Sequence, residues 1–313
     1  MALVLGIDTS NYTTSCALYS TEYNSITQKK QLLPVKSGEC GIRQSDAVFH
    51  HTKQLPVLLE ALFENVGDKI DAVAVSTTPR RCDGSYMPCF TVGEGVARAV
   101  AATLKCPLYT NSHQEGHIAA ALFSANKLDL IGEKFFAFHV SGGTTEGIIV
   151  SYDGFEILSC DIVAKTSDLN AGQLIDRTGV MLGLDFPCGK ELEKLALLYN
   201  EPIKVKPSVK GTYCSLSGFQ NKLHDIYKST GDKSKTAAYT LAYVEASIAK
   251  MTEEVFSLHG KMPVVFAGGV MSNSIIRNSL ESKFDAFFAE PEYSCDNSAG
   301  VAVLGAIKHR EWN

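Results

Sequence analysis

Two kinds of hydrophobic pattern alternate along the chain. Short apolar runs bounded by Gly, Ser, Thr and Asn predict strands, and apolar residues three and four apart predict helices. LVLGIDTSNYTTSCALYS reads as a strand, a small polar turn and a second strand. FFAFHVSGGTTEGIIVSYDG repeats that plan about 130 residues later. Each hairpin precedes helical material, so the chain reads as two related lobes.

Leu55, Leu58, Leu59, Leu62 and Phe63 predict a helix over Phe49 to Val66, and KIDAVAVSTTP then predicts a buried strand. TVGEGVARAVAATLKCPLYT reads as a helix running into a short strand. GQLIDRTGVMLGL and KELEKLALLYN predict two helices separated by DFPCG. Pro202 to Tyr213, with Lys and Pro interspersed, reads as a loop or an edge hairpin. KTAAYTLAYVEASIAKMTEEVFSLHG is one long helix stopped by Gly260. PVVFAGGVMSNSIIRNSLESKF is strand, glycine turn and helix, and NSAGVAVLGAIKH is a closing small-residue helix. The expected architecture is α/β, with an N-terminal lobe over 1–127, a C-terminal lobe over 128–296, and the helix 297–313 packing back on the first lobe.

Composition narrows the function classes. With 45% hydrophobic and 20% charged residues, the chain reads as an ordinary soluble protein of 313 residues, long enough for two domains. A net charge of −5 leaves no general basic reservoir, so contact with nucleic acid requires a local patch or a partner. No apolar stretch approaches the length that spans a bilayer, and the start lacks the pattern of a signal peptide. Nine cysteines, an odd number without a CxxC, point to reduced, mostly buried thiols in the cytoplasm.

Three patterns carry candidate chemistry. The first is NSHQEGHIAAAL, where Asn-Ser is a helix N-cap signal and His113 and His117 fall on one helical face. Such a pair is either a solvated face or half of a metal site, and the residues alone leave both open. HQEGH is not HExxH, and Glu115 lies two residues from each histidine, roughly 200° around the helix, so it is not the adjacent general base. A metal site here needs a third ligand from elsewhere, and Asp296 in YSCDNSAG stands at a helix start. The second pattern is the pair of glycine turns VSGGTTEG and FAGGVMSN, each after a buried strand. Backbone amides can converge there on a phosphate, with the hydroxyls of Ser141, Thr144 and Thr145 as further donors. The third is Asp176, set among Leu174, Ile175 and Val180 ahead of the Pro187-Cys188-Gly189 turn.

Taken together and in order, these segments resemble the TsaD-type tRNA threonylcarbamoyladenosine synthases, the former glycoprotease family. VLGIDTS resembles the family's opening hairpin and HQEGH its metal-binding HxExH. VSGGTTEG resembles VSGGHTQ, and AGQLIDRTGVMLGLDFPCGKELEKLA resembles AGEAFDKxAxxLGLxYPGGPxxxxxA. SLSGFQNKL, AGGVMSNSIIR and CDNSAG resemble FSFSGLKT, AGGVxxNxxLR and CTDNxAM. The resemblance implies the actin-like (ASKHA) fold of duplicated RNase H-like domains. It also implies transfer of a threonylcarbamoyl group from threonylcarbamoyl-adenylate to N6 of adenosine 37 in tRNAs reading ANN codons. By the same resemblance His113, His117 and Asp296 hold iron or zinc. Ser141, Gly142, Gly143, Thr144, Thr145, Asp176, Gly189, Glu193 and Asn273 bind ATP or the adenylate. Implied partners are tRNA, a TsaB-like paralogue and a TsaE-like ATPase, or a second copy of the chain, with no membrane. Protease activity is not expected.

Three departures bear on the acceptor. The family's acidic turn SCDET is SNYTTS here, so Tyr12 and Thr13 stand where two carboxylates are expected. SGGH is SGGT. The glycine-rich loop after the third strand is TPRRCDGSYMPCF, which adds Arg80 and Arg81. Two alternatives follow: a divergent paralogue that carbamoylates a small-molecule acceptor, or a non-catalytic partner of a true TsaD-type subunit docking through helices such as Phe49 to Val66.

Overall fold

The computed structural model describes residues 1–10, 12–34, 42–64, 66–67, 69–294 and 298–312. The chain opens with β1 (Leu3–Ser10), β2 (Thr13–Ser20) and β3 (Ser25–Leu32), then α1 (Gln44–Phe63), β4 (Ala72–Thr78), α2 (Phe90–Leu104), β5 (Leu108–Ser112) and α3 (His113–Ser124). A second series follows: β6 (Phe135–Val140), β7 (Thr145–Tyr152), β8 (Leu158–Thr166), α4 (Ala171–Met181) and α5 (Gly189–Ala196). It continues through β9 (Ser208–Lys210), β10 (Tyr213–Ser215), α6 (Ser217–Thr230), α7 (Lys233–His259), β11 (Val264–Ala267), α8 (Ser274–Glu281) and β12 (Ala286–Phe288), and α9 (Ala299–Trp312) ends the series.

Contacts divide the chain into two compact units. Unit 1 comprises 1–132, 152–159 and 292–313, and unit 2 comprises 133–151 and 160–291. The unit 1 sheet has the order β3-β2-β1-β4-β5, antiparallel across the hairpins and parallel from β1 to β5. The unit 2 sheet has the order β12-β11-β6-β7-β8-β10-β9. Within it, β8-β7-β6-β11-β12 repeats the strand order of unit 1, with β10 and β9 added at one edge. The two matching hairpins in the sequence therefore seed two copies of one α/β plan.

The unit 1 sheet is covered on both faces. Leu5, Ile7, Val73 and Val75 pack with Leu55, Leu62 and Ala97 of α1 and α2. Val4, Ala72 and Ala74 pack with Val301, Ala302 and Ala306 of α9. Strands buried on both faces read as continuous apolar runs, which is why β1 and β4 were legible. The small residues of α9 have a positional reason. A Cβ at Gly300 would clash with the Gly116 carbonyl oxygen of α3, so α9 lies directly on the helix that carries the histidine pair. In unit 2, Phe136, Phe138 and Phe266 meet Leu174, Leu241, Val244 and Ile248 of α4 and α7.

Four elements lack a prediction. β3 and α6 are mostly exposed, with only Phe219 and Leu223 of α6 buried, β8 is interrupted by Ser159, Cys160 and Asp161, and β12 has only three residues. α1 begins at Gln44, five residues before Phe49, because its polar first turn carries no apolar period.

Candidate active site

The histidine pair sits at the start of α3. Ser112 is the N-cap, its hydroxyl accepting from the Glu115 amide at 3.3 Å while Glu115 Oε2 accepts from the Ser112 amide at 2.6 Å. This capping box satisfies two amides at the helix end and fixes where His113, the first helical residue, projects. His117 follows one turn later, and the two Nε2 atoms stand 2.9 Å apart. His113 Nδ1 lies 3.0 Å from Asp8 Oδ1 at the end of β1. Asp8 is fully buried, and the Ser76 hydroxyl of β4 donates to the same oxygen. Burial pushes the Asp8 carboxyl up, but His113, Ser76 and Ser10 outweigh it and hold it below the usual carboxylate range.

That arrangement assigns a tautomer. An ionised carboxylate only accepts, so a neutral His113, the form that ligates a metal, carries its proton on Nδ1 and turns a lone pair on Nε2 toward His117. Metal-ligating histidines are commonly oriented by a carboxylate in this way. With metal–nitrogen bonds of about 2.0–2.1 Å, two imidazoles on one ion sit roughly 3 Å apart. The pair therefore fits a shared ion. Among the described residues no group of three or more His, Cys, Asp or Glu side chains converges on one point. Asp296, the third ligand nominated from the sequence, lies outside the described residues.

Sequence reasoning missed the charges behind this helix. Glu115 is 1% exposed and takes hydrogen bonds from Arg81 at 2.9, 3.1 and 3.3 Å. Arg81 also pairs with Glu156 at 2.5 Å, and Lys308 of α9 joins Glu156 at 2.8 Å and the Thr110 carbonyl at 2.7 Å. Burial works against the Arg81 charge, and Glu115 and Glu156 raise its pKa in spite of it. The loop where the family motif has glycines thus supplies the counter-charge for a buried glutamate in the capping box. HQEGH and TPRR were both visible as motifs, but nothing in the sequence pairs them.

A second buried histidine was also missed. His51 of α1 is fully buried, with Nδ1 2.8 Å from Thr14 Oγ1. The Thr14 hydroxyl donates to Gln54 Oε1 at 2.6 Å, while Gln54 Nε2 donates to the Leu32 carbonyl at 3.2 Å. Thr14 has one proton to give, so His51 donates from Nδ1 and is neutral. Its Nε2 has no hydrogen-bond partner among the described residues. Burial pushes His51 down to about 4, against the opposing pull of the Asp8 charge and the Ser10 backbone. In the unfolded chain a histidine titrates near 6.5. Below that pH the unfolded chain takes up a proton that the folded chain refuses. The stabilisation is therefore complete above about 6.5 and lost as pH falls toward about 4, by up to about 3 kcal/mol. Urea unfolding of the wild type and His51→Gln between pH 4 and 7 should show a flatter acid limb in the variant. Identical limbs would remove His51 as the cause.

Unit 2 gathers the other nominated residues. Ser141 closes the β6–β7 turn: its amide donates to the Thr144 carbonyl at 2.7 Å, and its hydroxyl accepts from the Gly143 and Thr144 amides at 3.3 and 3.1 Å. Thr145 Oγ1 accepts from the Ala171 amide at 2.9 Å. A Cβ at Gly172 would meet the Gly142 nitrogen at 2.6 Å, so the start of α4 abuts the turn. Gly268 has φ +100°, and a Cβ there would meet the Val140 carbonyl oxygen, so the two glycine turns are neighbours. Asn273 Oδ1 caps α8 by accepting from the Ile276 amide at 3.1 Å. Glu193 Oε1 accepts from the Ser274 amide at 2.7 Å and from its hydroxyl. Asp176 Oδ1 accepts from the Cys188 amide at 2.9 Å, fixing the turn before Gly189. The hydrogen bonds thus divide unit 2 into three clusters: Ser141–Thr145 with α4, Asp176 with the Gly189 turn, and Glu193 with the start of α8. Gly142, Gly143 and Gly189 face open space.

Comparison with known proteins bears on both units. The family model TsaD, described as tRNA N6-adenosine threonylcarbamoyltransferase, matches residues 24–303. A tRNA N6-adenosine threonylcarbamoyltransferase from Methanopyrus kandleri is 28% identical over 293 residues, 91% of this chain and 81% of its own. Among solved structures, full-length HypF in a phosphate- and nucleotide-bound form matches 99% of this chain with a TM-score of 0.60 at 14% identity. The chain spans 55% of that HypF chain. A ROK family glucokinase from Streptomyces griseus matches 98% of this chain and all of its own, with a TM-score of 0.54 at 12% identity. These structural matches show the fold, that of the actin-like kinases and ATPases. The chain belongs to the TsaD family, which makes it an enzyme of the threonylcarbamoyl- or carbamoyl-transferring class.

Proposed function

We propose that the chain moves a threonylcarbamoyl group from threonylcarbamoyl-adenylate to N6 of adenosine 37 in tRNAs reading ANN codons. The observation that carries this reading is the Asp8-oriented pair of imidazole nitrogens 2.9 Å apart at the start of α3, within a chain of this family. His113 and His117, with Asp296, would hold one iron or zinc ion, which when bound supplies a Lewis acid for the carbamoyl oxygen. Asp8 and Ser76 keep His113 in the ligating tautomer, and the Ser112–Glu115 box keeps it in place. On unit 2, the Ser141–Thr145 turn would offer phosphate its hydroxyls and the backbone left open at Gly142 and Gly143, and Asp176, Gly189, Glu193 and Asn273 would complete the ATP or adenylate site. The working assembly includes TsaB-like and TsaE-like partners or a second copy, in the cytoplasm.

A second reading, a paralogue acting on a small-molecule acceptor, is favoured by one observation. The turn that carries carboxylates in the family motif presents Tyr12, 38% exposed, and Thr13, buried. Analysis of modified nucleosides in tRNA from cells with and without the gene separates the two. Absence of threonylcarbamoyladenosine only when the gene is missing supports the first reading, and an unchanged nucleoside profile favours the second.

Gly142 tests the phosphate turn. A Cβ there has no neighbour within 4 Å, so Gly142→Val should fold normally. It would fill the space through which a phosphate approaches the backbone, and ATP affinity by calorimetry should fall at least roughly tenfold, about 1.4 kcal/mol. Equal affinity would move the phosphate site elsewhere.

A further inference from the structure

The lysine-bearing stretch IKVKPSVK, residues 203–210, has a defined role in the fold but none in the site. Its burial alternates: Ile203, Val205 and Val209 pack against the unit 2 core, while Lys204, Lys206 and Lys210 are exposed. Register extends the row across the sheet edge. Tyr213 of β10 pairs with Lys210 of β9 on one side and Lys165 of β8 on the other. Residues directly opposite one another share a face of a sheet, so an aromatic ring, 49% exposed, stands between two exposed lysines.

Lys165, Lys204, Lys206 and Lys210 form no ion pair among the described residues. Asp168, just beyond the end of β8, is occupied by the hydroxyls of Ser215 and Ser217 and the amides of Leu169, Leu216 and Ser217. Asp161 and Glu201 are the other acidic residues at this edge. Residues 202–224 hold four lysines and no acidic residue in a chain whose total is −5, and three of those lysines, with Lys165, stand on this face. This is a local run of cations of the kind a nucleic-acid partner can use.

We infer that the outward face of β8-β10-β9, with Lys204 and Lys206, is a docking surface for an RNA sugar-phosphate backbone. The lysines meet phosphates, and Tyr213 offers its ring to an unpaired base. The inference rests on the tRNA reading above and extends it to a surface outside the candidate site. RNA is favoured over an acidic protein because an exposed aromatic between unpaired cations matches alternating phosphate and base.

The test uses the full chain and an unmodified tRNA transcript with an ANN-reading anticodon, followed by fluorescence anisotropy from low to physiological salt. The triple variant Lys204→Gln, Lys206→Gln, Lys210→Gln should bind about ten- to a hundredfold more weakly at low salt. The slope of log affinity against log salt should become shallower by about 2 to 3, near one unit per lost phosphate contact. Tyr213→Ser should weaken binding with an unchanged slope. A control set with equal loss of charge on unit 1, Lys53→Gln, Lys69→Gln, Lys105→Gln, should move neither quantity. ATP affinity should be the same in all, which confirms folding. Equal losses in both triple variants, or none in the first, overturn the surface and leave its lysines as a guard against edge-to-edge strand pairing. Wild-type protein that binds through this face yet transfers nothing keeps the surface and removes the tRNA-transfer reading. Normal transfer with unchanged affinity in the first variant does the reverse.

Discussion

Replacing His113 or His117 by alanine is expected to strip the chain of its metal. The wild type, purified under conditions that preserve metal, should carry about one iron or zinc per chain by elemental analysis. Each variant should carry almost none after dialysis, because a site built on three protein ligands loses most of its affinity with any one of them. The fold should survive. Alanine is a good first helical residue, and Ser112 and Glu115, which make the capping box, stay in place. Asp8→Asn should have a smaller effect, about ten- to a hundredfold in affinity, since an amide can donate to His113 Nδ1 and reverse its tautomer. Full occupancy in the double histidine variant would remove the site altogether.

The second large effect concerns the turn after β1. The N6 amine of adenosine is a weak nucleophile that must lose a proton as the new bond forms, and loss of a positioned base costs roughly 10²- to 10⁴-fold. Neither Tyr12 nor Thr13 brings a carboxylate to serve as that base. The protein should therefore bind nucleotide and metal yet transfer to tRNA slowly with the family's usual partners. Tyr12→Asp should raise the single-turnover rate by about a hundredfold or more, because this position is 38% exposed and admits a charge. Thr13→Glu would add acidity at a buried position in β2, where the carboxylate is costly to desolvate, so its benefit should be smaller. If the unmodified protein already replaces the cell's own tRNA-modifying enzyme, another group supplies the base and this explanation is lost.

Apolar period and turn chemistry made most of the fold legible. Both hairpins, the long α7 with its Gly260 stop, and the helix carrying HQEGH follow from pattern alone. β3 and α6 escaped because an edge strand and a surface helix bury too little to leave a period. At the site, the histidine pair and glycine turns could be read because their chemistry lies in short runs. Asp8, Arg81 and His51 could not. Asp8 lies 105 positions from His113, Arg81 lies 34 from Glu115, and His51 lies 37 from Thr14. Their roles depend on which strand ends and helices are brought side by side. That information belongs to topology and leaves no local trace.

The Arg81 network also bears on how such chains diverge. Glu115, Glu156, Arg81 and Lys308 balance two negative charges with two positive ones across four distant stretches of sequence. Replacing Arg81 by glycine would take the counter-charge from a buried carboxylate next to the histidines. Replacing Glu156 by a neutral residue would remove a carboxylate 2.8 Å from Lys308, which is 1% exposed. Neither step is neutral alone, so the four positions should change together in lineages that keep this loop. Arg81 thus acts as a covalently remote tether: through Glu156 it holds a distant hairpin tip and the last helix to fixed charges, so the loop after β4 cannot be exchanged without re-balancing both.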